Sequence, residues 1–416
     1  MLEPSVRIEN RTQLIHMLSE AAEVEHGILC CYLFAAFSLK RGTDEGVSTE
    51  QLATIKSWKH TLIDISIQEM LHFGLVNNLL ASIGGAPHVQ RPNLPTSPSM
   101  YPKSFQLGLR GFNEQTLAGF VFLERPEGTN VGQARKGDFG GPLSSRDIFS
   151  DRPEYQTIGH LYRGIADGFE YLEEKLGPER LFIGPAAAQA PFFPGLEELS
   201  PITDLSSATR AIRQIVEQGE GAPEENTEGH YARFSGIQRE FNDVRARDPK
   251  FRPGRPVVEN PHTRTPSDIG GAQISLIDDP QTAAASNLFD GAYELLVQML
   301  ERYFSPAQAS EIEVELLIAT IRRLMVNVID PLGSLITGLP AGPSHPGMTA
   351  GPSFSLSRGL HTPPQLPTAW TFWRERLREL SAYCAVLETL GAAPAKVVEV
   401  GERLDEIASS LKAGLA

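Results

Sequence analysis

Two stretches decide the fold of this chain: AAEVEHGILCCYLFAAFSLK at residues 21–40 and ISIQEMLHFGLVNNLLASIGGAP at residues 65–87. In both, apolar residues recur every three or four positions, which is the spacing of a buried stripe on a helix. The first pattern extends backwards and predicts a helix over Arg11–Lys40. The second predicts a helix over Thr49–Ile83 that stops at a glycine pair. Stripes of this length and heptad-like spacing favour a helical bundle.

Charged and imidazole side chains interrupt these two stripes. Glu25 occupies the buried face of the first helix, and Glu69 and His72 lie where the second stripe calls for apolar residues, between Ile65 and Val76. Glu and His three positions apart project from one side of a helix and can reach one metal ion. The alternative is that Glu69 and His72 hydrogen-bond each other or a loop amide. An uncompensated carboxylate in a bundle core is costly, so we favour a metal site.

The rest of the chain contains more helical patterns, separated by loops rich in Pro and Gly. The predicted helices are Tyr155–Leu176, Asp204–Gln218, Glu228–Arg245, Ala284–Phe304, Pro306–Val328, Ala369–Leu390 and Pro394–Ala413. Almost no segment shows strand alternation, so the predicted class is all-α. We expect a bundle with the metal site over residues 1–250, carrying a long loop insertion at about 87–153. A C-terminal helical region at 284–416 would pack on the bundle or extend it.

The third helix offers weaker candidates for metal ligands. No carboxylate falls squarely in its apolar stripe, and the nearby polar residues are His160, Asp167, Glu170 and Glu173. The helical phase of His160 relative to Ile158 and Ile165 is unfavourable for a ligand that faces the core.

The fourth helix is interrupted in the sequence. Glu217 and Glu220 lie at the end of one helical pattern, and His230 lies in the first turn of the next. The glycines and the proline between them prevent one straight helix. We therefore expect the intervening segment to loop out, so that His230 returns to face Glu69 and His72. The alternative for His230 is a helix cap or a surface histidine.

Composition excludes several classes of function. The chain has 37 Lys and Arg against 51 Asp and Glu, and a net charge of -14 disfavours both nucleic acid and anionic membranes as partners. No apolar stretch reaches the length of a membrane span, and no secretory signal is visible at the N-terminus. Three cysteines cannot build a disulfide framework. These features predict a soluble cytoplasmic protein.

With these residues in view, the sequence resembles a bacterial ferritin-like family that includes the iminophenyl-pyruvate dimer synthases of violacein- and rebeccamycin-type pathways. The likeness rests on the order and spacing of several segments: the two stretches quoted above, FNEQTLAGFVFLERPE at 112–127, TIGHLYRGI at 157–165, IVEQGEG at 215–221, HYARF at 230–234, MVNVIDPLGSLITGLP at 325–340 and TAGPSF at 349–354. The resemblance implies a ferritin-like four-helix bundle.

The resemblance also implies a set of metal ligands. The matching positions are Glu25, Glu69, His72, a third-helix residue, Glu217 or Glu220, and His230. One departure concerns the third helix, because this chain has His160 where the family pattern has Glu. A histidine still ligates iron, but it changes the charge of the site by one unit.

These observations predict a dinuclear non-haem metal centre, with iron as the metal and O2 as co-substrate. The chain would be an oxidase or oxygenase of bacterial secondary metabolism acting on a small amino-acid-derived or aromatic molecule. Tyr32, one heptad after Glu25, would act as a hydrogen-bond donor to the site or as a radical relay. The alternatives are an imine or oxidative coupling enzyme of the dimer synthase type and a non-catalytic metal-binding or scaffold protein. We also expect a homodimer formed through the C-terminal helices.

Overall fold

A computed structural model describes residues 6–96, 107–127, 155, 157–219, 228–269, 271–306, 309–357, 361–363, 365–389 and 395–411. Within these residues the regular secondary structure is almost entirely helical, which confirms the all-α prediction. The first seven α-helices are α1 (Arg11–Ser38), α2 (Thr49–Ser82), α3 (Glu114–Leu123), α4 (Ile158–Leu176), α5 (Pro178–Leu181), α6 (Leu205–Gln218) and α7 (His230–Arg247). The remaining five are α8 (Pro280–Tyr303), α9 (Glu311–Leu324), α10 (Asp330–Ile336), α11 (Leu366–Thr389) and α12 (Ala395–Ser410).

Helices α1 and α2 form the longest pairing of the fold. Asn10 caps the start of α1 by accepting a hydrogen bond from the Gln13 amide, and Ser48 with Gln51 forms a capping box at the start of α2. These caps satisfy amides that would otherwise lack partners. Helices α4 and α6 pack on this pair and complete a four-helix bundle.

Two further helices close the bundle near its centre. Helix α3 packs on α7, and α7 also contacts α2. The rings of Trp58, Phe112, Phe241 and Phe251 form an aromatic cluster at this junction. Helix α3 lies inside the segment that we expected to be a loop insertion, at about 87–153.

The C-terminal helices pack on the bundle through α8 and α10. Tyr293 of α8 reaches α1, and Gly333 of α10 lies against the ring of Phe37. The buried apolar side chains of both parts belong to one continuous core. The predicted helix over Pro306–Val328 differs from the structure, because α9 starts later and continues through a π-helical turn, Met325–Ile329, directly into α10.

Strands are few in the described part of the chain. Pro261–His262 pairs in parallel with Ser275–Leu276, and Pro261 is opposite Ser275. Among the described helices, none is both long enough and apolar enough to cross a bilayer. The division into two domains and the homodimer stay predictions.

Candidate metal centre

Five buried donors meet at the centre of the bundle, and the first of them is Glu25 of α1. Its side chain lies on the core face of the helix because Ala22 and Tyr32, three residues before it and seven after it, share that face. The hydroxyl of Tyr162 on α4 donates to Glu25 Oε1 at 2.5 Å. The other oxygen, Oε2, lies 3.7 Å from His72 Nδ1.

Helix α2 contributes two donors from one turn. Glu69 and His72 project from the same face, and His72 Nδ1 lies 2.9 Å from Glu69 Oε2. The outer nitrogen of the same ring, Nε2, lies 3.1 Å from Oε1 of Gln218, the last residue of α6. His72 therefore spans the space between a carboxylate pair and the end of another helix.

The ends of α3 and α7 supply the remaining two donors. His230 is the first residue of α7, and its Nδ1 lies 3.0 Å from Glu69 Oε1 and 3.8 Å from Glu124 Oε2. Glu124 directly follows the last residue of α3, and its Oε1 accepts a hydrogen bond from the Tyr32 hydroxyl. The Tyr32 ring is held between the rings of Phe120 and Phe234.

Glu69 stands between two equivalent sets of donors. Its Oε2 faces His72 and its Oε1 faces His230. Ligand atoms within 4.8 Å of one another form two groups, Glu25 with Glu69 and His72, and Glu69 with Glu124 and His230. Each group has one carboxylate and one imidazole of its own and shares Glu69. The five side chains are each at most 2% exposed.

Two carboxylates of this cluster, Glu25 and Glu69, have strongly shifted pKa values. Burial raises the pKa of Glu25 to about 7, and the nearby charge of Glu69 adds to the rise although a hydrogen bond from His72 opposes it. Burial acts on Glu69 in the same sense, but the charge of His230 and the contact with His72 outweigh it and hold the pKa of Glu69 well below its usual range. The shared carboxylate, Glu69, therefore stays ionised.

The two histidines have the opposite balance. Burial lowers the pKa of His72, but its contacts with Glu25 and Glu69 outweigh burial and raise the pKa to about 10. Burial likewise lowers the pKa of His230, and the charges of Glu69 and Glu124 raise it to about 8. Without a metal ion, protons on these rings therefore supply the positive charge that the carboxylates require.

The donor set fits a pair of metal ions. Among the described residues, no lysine or arginine forms an ion pair with Glu25, Glu69 or Glu124, so two imidazoles face three carboxylates. The Nδ1 atom of His230 is buried and has no hydrogen bond, although carboxylate oxygens lie close to it. A buried nitrogen next to carboxylates but outside hydrogen-bond geometry is in a position suited to a cation.

A small cavity adjoins the cluster on the side of α4 and α6. The donors that line it are Glu25, Glu69, His72 and Glu124, and its other walls come from Ile158, Gly159, Ile215, Val216 and Gly219. The cavity thus combines ionisable donors on one side with mostly apolar residues on the other. At about 10 Å³, the cavity has room for a ligand of about the size of a water molecule next to the donors.

Two of the predicted ligands lie outside this cluster, and a third falls outside the described residues. His160 is buried in the first turn of α4, where its backbone amide donates to the Thr157 hydroxyl, but it belongs to neither donor group. Glu217 is exposed, because the helical phase at the end of α6 turns its neighbour Gln218 towards the site instead. Glu220 lies outside the described residues.

Sequence analysis did not single out Glu124. The signal was present, because Glu124 continues the apolar stripe of Leu117 and Phe120 at the spacing that identified Glu25. The predicted loop insertion concealed it, since a carboxylate in a loop is ordinarily solvated. In contrast, His230 lies 3.0 Å from Glu69, as expected from the interrupted fourth helix.

Comparison with characterised proteins identifies two relatives. Dichlorochromopyrrolate synthase of Lentzea aerocolonigenes is 27% identical over 96% of this chain, and 2-imino-3-(indol-3-yl)propanoate dimerase of Chromobacterium violaceum is 26% identical over 83% of it. The matched regions cover 41% and 34% of those two proteins, so this chain spans well under half the length of either relative.

Structure and family comparisons concern the bundle itself. A crystal structure of a ferritin-like protein from Caulobacter vibrioides superposes with a TM-score of 0.47 and 19% identity, covering 85% of this chain and all of that one. A model of the ferritin-like family matches residues 18–239, a span that includes all five donors and more than half of the chain. The match confirms the resemblance predicted from the sequence: the chain belongs to the ferritin-like family.

Proposed function

We propose that this chain is a dinuclear iron enzyme that oxidises a small organic substrate with O2. The observation that carries the proposal is the position of Glu69, whose two oxygens face two separate Glu–His pairs. Glu25, His72 and Glu69 would hold one ion, and Glu124, His230 and Glu69 would hold the other. When bound, such a pair of iron ions supplies O2 activation and accepts electrons from a substrate.

Iron is favoured by the chemistry of the donors. Carboxylate oxygens and imidazole nitrogens suit iron and manganese, whereas thiolate ligands favour copper(I) or zinc. All three cysteines of the chain are free and buried, and none belongs to either donor group. An arrangement of Glu and Glu-x-x-His residues in a helical bundle is the usual protein environment of di-iron and di-manganese centres.

The two tyrosines next to the donors would keep the carboxylates in place. Tyr162 donates to Glu25, and Tyr32 donates to Glu124, so one oxygen of each carboxylate is held and the other faces the site. Burial, reinforced by the neighbouring carboxylates, raises the pKa of both tyrosines well above the usual value. Both therefore remain protonated donors, and Tyr32 keeps a proton at its hydroxyl beside the centre.

The cavity, at about 10 Å³, would hold a ligand of about the size of a water molecule beside the donors and keep bulk water out. Its apolar walls, Ile158, Ile215 and Val216, face the donors and lower the local dielectric constant. An amino-acid-derived or aromatic metabolite is the proposed substrate class, because one relative is named a 2-imino-3-(indol-3-yl)propanoate dimerase and the other a dichlorochromopyrrolate synthase.

A second candidate function is the coupling of two imine units. The observation that favours it is the match to a dimerase and a synthase over most of this chain. In that case the described donors would align two imino acids so that the enamine carbon of one adds to the imine carbon of the other, a step that moves one proton and needs no oxidant. The two candidates differ in their co-substrate and in their product. The oxidase consumes O2, whereas the coupling enzyme forms a carbon–carbon bond between two substrate molecules.

Metal analysis followed by O2 measurement tests the proposal. The protein is loaded anaerobically with ferrous iron, the bound iron is counted, and O2 uptake is recorded with and without 2-imino-3-(indol-3-yl)propanoate. Two ions per chain with uptake that depends on an organic substrate would support the oxidase. Product dimer without O2 uptake would favour coupling, and O2 uptake that no substrate changes would favour iron storage. A chain that binds no iron would refute the dinuclear centre.

A further inference from the structure

The hydrogen bonds around His230 determine which of its nitrogens carries the proton. Its Nε2 lies 3.1 Å from the side-chain oxygen Oε1 of Gln68, and the same oxygen accepts a hydrogen bond from Arg233 Nη1 at 2.9 Å. A guanidinium group only donates, so the atom of Gln68 that faces Arg233 must be the amide oxygen and not the amide nitrogen. Since that oxygen only accepts, the neutral ring of His230 must carry its proton on Nε2.

This tautomer leaves a lone pair on His230 Nδ1. The atom faces Glu69 Oε1 and Glu124 Oε2, which are acceptors when ionised. With Nδ1 unprotonated, three acceptors meet at one point and repel each other, so a metal ion there would take the place of the proton that the metal-free ring carries. The Gln68–His230 contact therefore presents Nδ1 in the protonation state that a metal ion requires.

Arg233 is itself held in place, and this fixes Gln68. Its Nη2 lies 3.4 Å from the Thr61 carbonyl oxygen and 3.5 Å from Asp64 Oδ2, both on α2. Arg233 lies three residues after His230 on α7, whereas Gln68 precedes Glu69 on α2. Arg233 thus connects α7 to α2 at the level of the donors, and it prevents rotation of the Gln68 amide.

The other half of the cluster has a similar histidine–glutamine contact, but among the described residues no charged group fixes the orientation of the glutamine amide. His72 Nε2 lies 3.1 Å from Gln218 Oε1, so Nδ1 again faces carboxylates. Gln218 is the last residue of α6, and in the described part of the chain no second donor contacts its side-chain oxygen. The cavity also borders His72 and not His230.

We propose that Gln68, clamped by Arg233, is a positioning residue that presets His230 and makes the Glu69–Glu124–His230 group bind the first metal ion. The Glu25–Glu69–His72 group, in which the outer nitrogen of the histidine contacts the unclamped Gln218, binds the second ion. This inference rests on the proposed dinuclear centre and adds an order of filling. Groups that orient metal-bound histidines typically change metal affinity about 10–100-fold when they are removed.

Zinc titration of the metal-free protein tests this order without any catalytic reaction. Nitrogen-15 labelling of the histidines reports which ring nitrogen binds zinc and which keeps its proton, and calorimetry gives the two affinities. At one equivalent of zinc, we expect the His230 signal to change before that of His72, with zinc on Nδ1 and the proton on Nε2. A first ion that changes the His72 signal would overturn the proposal.

Substitutions separate positioning from folding. Gln68→Leu should weaken binding of the first zinc ion about 10–100-fold. Gln68→Glu keeps an acceptor for His230 Nε2–H and should restore that binding. Gln218→Leu is the matched control and should weaken only the second ion. Arg233→Met keeps Gln68 but allows its amide to rotate, so it should weaken binding of the first ion. This variant tests the proposal even if Gln68→Leu does not fold.

The outcomes distinguish this inference from the proposed function. If the wild-type chain binds no zinc at either group, the dinuclear centre itself is refuted. If it binds two ions and neither Gln68→Leu nor Arg233→Met changes the first affinity or the histidine signals, only the positioning role is refuted. Equal weakening of both ions by Gln68→Leu and Gln218→Leu would show a general structural effect and would also overturn the proposal.

Discussion

Two neighbouring faces of α1 bury polar side chains in different ways. On one face Glu25 meets Glu69 and His72, and on the other His26 meets Tyr293 of α8. His26 has a neutral partner for each ring nitrogen: Nδ1 lies 2.9 Å from the Val89 carbonyl oxygen, and Nε2 accepts from the Tyr293 hydroxyl. Burial, aided by the charge of Arg91, lowers the pKa of His26 well below its usual value.

The difference shows what identifies a metal-binding histidine. His26 and His72 are equally buried on adjacent helices, but only His72 has an inner nitrogen that faces carboxylates. The His26 network is complete with neutral groups, whereas the Glu25 network lacks positive charge unless protons or metal ions provide it. Burial alone is therefore no evidence that a histidine binds a metal ion. Negatively charged partners at one of its ring nitrogens are such evidence.

The largest expected effect follows substitution of the shared carboxylate. Glu69→Gln removes the one charge that both donor groups use, so we expect the bound iron to fall from two ions per chain to nearly none. Iron analysis after anaerobic loading measures this. Glu217→Gln, an exposed carboxylate at the end of α6, is the control and should keep both ions. Retention of two ions by Glu69→Gln would show that the metal does not lie between the two groups.

The two faces of α1 predict different effects for the histidine found at each of them. His72 of α2 meets Glu25 on one face, and His26 lies on the other. His72→Ala should lose one ion and keep its helical content near that of the wild type. His26→Ala should keep both ions but unfold at a lower temperature, because loss of the buried hydrogen bonds to Val89 and Tyr293 costs about 1–3 kcal/mol. Circular dichroism and metal analysis of both variants give the two readouts. Metal loss in His26→Ala and not in His72→Ala would reverse our assignment of the faces.

A smaller effect concerns pH. In the metal-free folded chain the pKa of His72 is about 10 and that of His230 about 8, above the roughly 6.5 of an unfolded histidine. The folded state therefore binds more protons, and the resulting stability is complete below about pH 6.5 and is lost as pH rises through about 8 and 10. Thermal unfolding of the metal-free protein at several pH values should show this decline.

Metal binding should have the opposite pH dependence. An ion must displace the protons from His72 and His230, so its affinity increases over the same range. Zinc calorimetry at about pH 6.5 and about pH 8.5 measures the change. A metal-free chain whose unfolding temperature is flat between about pH 6.5 and pH 10 would contradict the charge pairing described for these rings.

The smallest expected effect is at His160. Since the described structure leaves this residue outside both donor groups, His160→Glu and His160→Leu should each bind two iron ions, as the wild type does. Iron counting on both variants is sufficient. Weaker binding in His160→Leu together with normal binding in His160→Glu would place the residue at the metal after all.

The sequence by itself determined the helices and the donors that lie within regular stripes. Glu25, Glu69 and His72 could be recognised because helical phase is a local property, fixed by the three or four residues on either side. The same reasoning located the bundle and excluded a sheet.

Only the tertiary structure decided which side chains complete the site. Glu124 became a donor because α3 folds inside a segment that reads as a loop and packs on α7. The helical phase at the end of α6 directs Gln218 towards the site, whereas Glu217, which we expected there, is exposed. Contacts between helices depend on chain paths over long separations, and no local periodicity specifies them. The pairing of Tyr32 with Glu124 and the clamp of Arg233 on Gln68 have the same origin.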